Sequence, residues 1–140
     1  MQLKRDTDYA IRILFCLKET IETDPEREQK KIALSEIAAQ ARIPKTTALR
    51  ICGYLSEKGM IHLIREGEDG ENEYYAAPLL LERSLLDVIE AVEGTGRIFA
   101  VFDRKSHMYR KCGKGIEKLQ RKHERLLSSA SLEGLIGKKE

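Results

Sequence analysis

Apolar and polar positions along this chain recur mostly at helical spacing, with a weaker two-residue alternation in one short stretch. From Thr7 to Ile21 the residues Tyr9, Ala10, Ile13, Leu14, Leu17 and Ile21 recur at helical spacing. Thr7 is the expected N-cap. Ile11, Phe15 and Cys16 widen the stripe, so this helix needs cover on two sides. From Leu34 to His62 the pattern predicts two helices across a tight turn. Ser35 is read as the cap of the first, with Ile37, Ala38 and Ala41 inward. The period breaks at Arg42 and Ile43. Pro44, preset to helical φ, fits the first turn of the next helix, whose predicted core face is Ala48, Leu49, Cys52 and Leu55. That helix should stop at Gly59.

The charged segment 19–31 reads as an exposed connection. Residues 60–65 and 72–77 predict two short strands around a glycine turn, a β-hairpin. Ser84 and Asp87 have the spacing of a capping box, and Leu85, Val88, Ile89 and Val92 line the short helix that follows, ending at Gly94. Residues 95–115 read as a loop. Ile116, Leu119, His123, Leu126, Leu127 and Ala130 then form a stripe on a last helix, with pairing to a second subunit expected. The fold class expected is mainly α with a small β-hairpin wing: a winged helix-turn-helix plus a C-terminal dimerisation helix. The division expected is a DNA-binding domain over 1–80, then a connecting helix, sensor-type loop and dimerisation helix over 81–140.

Composition narrows the function. At 140 residues the chain has room for one core and an appendage. No run approaches the roughly 20 apolar residues of a membrane span, and the N-terminus has no apolar signal region, so a cytoplasmic location is expected. The net charge of +2 is uninformative, but its distribution is uneven. Residues 104–125 hold nine Lys or Arg against two Glu, whereas 66–73 hold five acids and no base. Cysteines 16, 52 and 112 form no CxxC pair.

The outward positions of the second helix of the pair are Lys45, Thr46, Thr47, Arg50 and Tyr54, all able to donate to phosphates or base edges. Arg5, Tyr9, Arg12 and Lys58 are candidate phosphate contacts. The bland alternative for each residue is a solvated helical face. An acidic wing is poorly suited to insertion beside phosphates.

Four stretches together resemble the Rrf-two family of bacterial transcriptional regulators: LKRDTDYAIRIL from Leu3, SEIAAQARIPKTTALRICGYLSEKGMI from Ser35, the glycine turn before Tyr74, and SLLDVIEAVEG from Ser84. The resemblance implies a homodimer that binds a palindromic operator in double-stranded DNA, with a long C-terminal dimerisation helix. It also implies comparison with the family's iron-sulfur cluster, held by three cysteines in the loop after the Glu-Gly pair. This sequence departs from that pattern. Only Cys112 lies between Gly94 and Ile116, while Phe102 and His107 stand at other family cysteine positions. One thiolate, one imidazole and Asp8 make a poor set of ligands, so no cluster and no other metal are expected. Cluster-free members imply other inputs, such as a small effector, a partner protein or thiol oxidation. Cys112, flanked by Arg110, Lys111 and Lys114, is with His107 the candidate redox or effector site; the alternative is an incidental surface thiol.

Three functions are weighed. The leading one is a dimeric, sequence-specific DNA-binding regulator. The acidic wing keeps open a winged-helix adapter that has lost DNA binding. An enzyme has least support, since no P-loop, dinucleotide fingerprint, HExxH or GxSxG motif is present.

Overall fold

The computed structural model describes residues 5–21, 26, 28–64, 70–94 and 114–137. It contains α1 (Arg5–Leu17), β1 (Ile32–Ala33), α2 (Leu34–Ala41), α3 (Lys45–Glu57), β2 (Ile61–Ile64), β3 (Glu73–Ala76), α4 (Leu85–Glu93) and α5 (Lys114–Ser129). A wide turn over Glu133–Gly137 follows α5. The expected class holds: helices around a small antiparallel sheet, as in a winged helix-turn-helix.

The core forms where the inward faces of α1, α2, α3 and α4 converge. Ala10, Ile13, Leu14 and Leu17 of α1 meet Ile37, Ala48, Ile51, Leu55 and Val88, all buried. Each such Leu or Ile stabilises the fold by about 1.5–3 kcal/mol relative to exposure. Leu132 and Ile136 belong to the same cluster, so the chain end closes over α1. Lys18 Nζ fastens it by donating to the Ile136 carbonyl at 2.6 Å.

Helix α1 departs from expectation at both ends. It already runs through Arg5, so Thr7 is no cap; its side chain is buried and donates to Glu93 of α4 at 3.2 Å. The helix ends at Leu17, and a tight turn over Lys18–Thr20 leads to Ile21 in extended conformation. Within the segment expected to be exposed, Thr20 is buried. Its hydroxyl donates to Leu17 O at 2.6 Å and accepts the Ala76 N–H at 2.7 Å, joining the end of α1 to β3.

The expected hairpin is present, with Ile61 opposite Ala76 and Ile64 opposite Glu73. A third strand, β1, pairs with the free edge of β3, giving the order β1-β3-β2. At two residues it is too short to carry a period. Tyr74 is the buried centre of the sheet.

The termini of α2 and α3 explain the turn between them. Ser35 does not cap α2; Ala33 is the N-cap and offers no side-chain bond. The carboxylate of Glu71 instead accepts the Ser35 N–H at 2.7 Å and its hydroxyl at 3.0 Å, while Asn72 O accepts the Leu34 N–H at 2.9 Å. Two of the free N–H groups at the start of α2 are therefore satisfied by residues just before β3. At its other end Arg42 is left-handed, φ +59°, with Ile43 N–H donating to Ala38 O at 3.1 Å. This is a Schellman motif with arginine in the position that usually takes glycine. Pro44 is the N-cap of α3 and lies outside its first turn. Gly59 ends α3 as expected, φ +71°, and Met60 N–H closes back on Leu55 O at 3.0 Å.

Ser84 and Asp87 form the full capping box on α4, which stops at Gly94, as expected. After α5, Leu132 N–H donates to Arg83 O and Leu85 N–H donates to Ala130 O, both at 2.8 Å. The chain end is thereby tied to the start of α4.

Candidate nucleic-acid interface

Helix α3 is fixed by one side and free on the other. Ala48, Ile51, Cys52 and Leu55 are fully buried, a clean i, i+3, i+4, i+7 stripe. This corrects the core face read from sequence, because Leu49 is 46% exposed and Ile51 takes its place. Lys45, Thr46, Leu49, Arg50 and Gly53 face solvent, while Thr47 and Tyr54 are half-buried. A side chain at Gly53 would meet nothing within 4 Å, so this face is open. Leu49 was missed as a candidate contact. An apolar side chain among donors is suited to a thymine methyl.

The two cations of this face are already engaged. Arg50 Nη1 donates to Asp6 Oδ2 at 2.8 Å and Nη2 to Asp6 Oδ1 at 3.1 Å, a two-toothed fork from α3 to the first turn of α1. The guanidinium carbon lies 5.9 Å from the Tyr54 ring centroid. The fork holds the Asp6 carboxyl below its ordinary range and raises the guanidinium's own affinity for its proton. Lys45 Nζ lies 3.0 Å from Glu71 Oε1. Bonds from Lys45 and Ser35 lower the Glu71 carboxyl as well. Glu71 thus bridges α2, α3 and the wing; of the acids read as an unfavourable wing, this one has a structural role.

The remaining candidates are more scattered. Arg5 and Lys58 are exposed at the start of α1 and the end of α3. Tyr9 is half-buried against the core, with the Arg12 guanidinium 5.6 Å from its ring centroid. Arg12 pairs with Asp8 at 2.7 Å and donates to Ala41 O at 3.4 Å, which couples α1 to the end of α2.

On α5, Leu119 and Leu126 are 55% and 69% exposed, whereas Leu127 is covered by its own chain at 5%. Ile116, His123 and Ala130 are half-buried. Gln120, absent from the expected stripe, is buried.

Cys112 and His107 lie outside the described residues. Among those described, no group of three His, Cys, Asp or Glu side chains could hold a metal ion. Cys52 is a core thiol that burial pushes up to about 12, and burial also raises Cys16. Among the described residues, no helix is long and apolar enough to cross a membrane.

Comparison with known proteins agrees with this architecture. The structure superposes on CymR (YrzC), the global cysteine regulator of B. subtilis, with TM-score 0.71 and 17% identity over 100% of this chain and 99% of that one. The oxidised form of Staphylococcus aureus CymR gives 0.68 at 18% identity, again over 100% and 99%. IscR of T. potens gives 0.65 at 14%, over 98% and 87%. At these identities the likeness establishes the fold. No curated protein matches the sequence. Residues 3–138 match the family model described as "Rrf2: Iron-dependent Transcriptional regulator", and with almost the whole chain inside that match, the protein belongs to the Rrf2 family of transcriptional regulators.

Proposed function

We propose that the protein is a homodimeric, sequence-specific regulator that binds a palindromic operator in the cytoplasm and works without an iron-sulfur cluster. The observation that carries the reading is the two-sidedness of α3. Its inner face is wholly buried, while Lys45, Thr46, Leu49 and Arg50 lie together on the outer one. A rigid helix with donors on its free side fits the major groove, where base edges display distinct donor and acceptor patterns. Arg5, Lys58 and Arg12 grip phosphates and set the register, and Thr47 and Tyr54 support the reading face. Leu119 and Leu126 supply the apolar dimer contact, with Ile116, His123 and Ala130 at its margin.

Arg50→Ala tests the assignment. If Arg50 makes a bidentate base contact, preference for the operator falls by about 1–3 kcal/mol, on top of a sequence-independent loss from the unpaired Asp6 carboxylate that weakens both duplexes alike. Unchanged preference removes Arg50 from the reading face.

The adapter reading has lost part of its support, because Glu71 is occupied by Ser35 and Lys45. Affinity for operator DNA against salt separates the two. A regulator weakens steeply with salt, whereas an adapter shows no duplex binding even at low salt.

A further inference from the structure

The position of Asp6 requires an account. An acid at the edge of a DNA-reading face repels phosphate, and Asp6 sits at the start of α1 with both carboxylate oxygens on Arg50. The elements on either side are rigid, since α1 buries Ala10, Ile13 and Leu14 against the core and α3 buries Ala48 and Ile51. The backbones that carry the pair are held at a fixed separation. The fork is therefore built into the packing of two helices.

Its chemical effect is selective. A guanidinium has five N–H donors in a plane, and the fork uses two of them. Donors remain for a base edge, and the Arg50 side chain is 45% exposed. What the fork removes is net charge. Attraction to phosphate depends on charge and is independent of sequence, whereas recognition of guanine O6 and N7 depends on direction and spacing of donors. A neutralised, oriented arginine thus loses more of the first than of the second. Holding the side chain in one geometry also lowers the conformational entropy lost on binding.

We propose that Asp6 is a specificity-determining positioning residue, which withholds the Arg50 charge from phosphates and presents its remaining donors to a guanine. The inference rests on α3 being the DNA-reading helix. Lys45 and Glu71 make a parallel pair on the same face, so suppression of sequence-independent binding extends to both of its cations.

The test uses the full chain and duplexes that the wild-type protein enriches from a randomised pool, with a scrambled duplex as reference. Asp6→Asn keeps the shape and removes the charge. It is expected to bind scrambled duplex more tightly and to steepen the salt slope by about one. The selected-to-scrambled affinity ratio should fall about tenfold, within the range for one bidentate base contact. Asp6→Glu, which keeps the charge, should retain the wild-type slope. In an Arg50→Ala background, where no guanidinium is left to orient, Asp6→Asn should still tighten binding to both duplexes but leave the selected-to-scrambled ratio unchanged, which separates its action through Arg50 from simple charge removal. Thermal unfolding of each variant identifies any that fails to fold, and Asp6→Ser, which also removes the charge and is expected to lower the ratio and steepen the slope in the same way, then carries the test. Enrichment by wild type with an unchanged ratio and slope in Asp6→Asn overturns the assignment of Asp6 alone. No enrichment by wild type overturns the DNA reading, and this inference with it.

Discussion

At the scale of single residues, the chain separates side chains that stabilise the fold from side chains left on the surface, and Leu49 and Ile51 show the difference. Both are apolar and lie two positions apart on α3, yet Ile51 is fully buried and Leu49 is about half exposed. Their types alone do not distinguish them. The stripe completed by Ala48, Cys52 and Leu55 does, because only Ile51 falls within its angular width. Leu49→Ala is therefore expected to cost well under 1 kcal/mol of stability while weakening operator binding, since a thymine methyl loses its contact. Ile51→Ala is expected to cost about 2–5 kcal/mol through the cavity it leaves. Urea unfolding of both variants beside operator titration checks the pair, and a large stability loss in Leu49→Ala would return that residue to the core. The partners of Arg50 and Lys45 were beyond reach of local pattern for another reason. Asp6 lies 44 positions from Arg50, and nothing in the periodicity of either helix refers to the other.

Elements were more legible than residues wherever their signal was local. Gly59 and Gly94 mark the ends of α3 and α4 because both positions are left-handed, which glycine tolerates without strain. Arg42 occupies the same conformation at the end of α2 with no compositional sign of it. Two other features depended on distant groups. Thr7 and Ser35 have the residue types of caps, but α1 starts before Thr7, and the α2 terminus is satisfied by Glu71. The α4 box depends on residues three apart, so it could be read directly. Burial alone would raise the Asp87 carboxyl, but the Ser84 N–H and the Arg83 guanidinium outweigh it and the carboxyl lies below its ordinary value of 3.8. A carboxyl lowered in the fold contributes stability that is full above the unfolded value and is lost as pH falls through the folded one. Asp87→Asn is thus expected to be less stable than wild type at pH 6, with the difference shrinking below about pH 3.8. Ser84→Ala should cost about 1 kcal/mol. Denaturant midpoints at pH 6 and pH 3 measure both, and a pH-independent gap for Asp87→Asn would mean that the carboxylate charge does not matter to the cap.

For the whole molecule, the remaining question is what covers α5. The sequence stripe marked six positions, and the fold divides them. Leu127 packs onto its own chain, and the hydrogen bonds that join residues 130 and 132 to residues 85 and 83 hold the helix end against the start of α4. Leu119 and Leu126 remain outside, seven residues and thus two helical turns apart, on one face. Two leucines in such register fit the same face of a second copy, and twofold pairing would place two α3 helices to read related half-sites. Leu126→Glu puts a charge into that contact without disturbing Leu127. The expected outcome is a folded monomer by sedimentation, with a thermal midpoint close to that of the wild-type protein at low concentration and operator affinity reduced at least tenfold, because one half-site is lost per binding event. Random-duplex affinity per subunit should change much less, since phosphate contacts do not require the partner. A Leu126→Glu protein that still sediments as a dimer would assign the pairing surface to another face of the molecule.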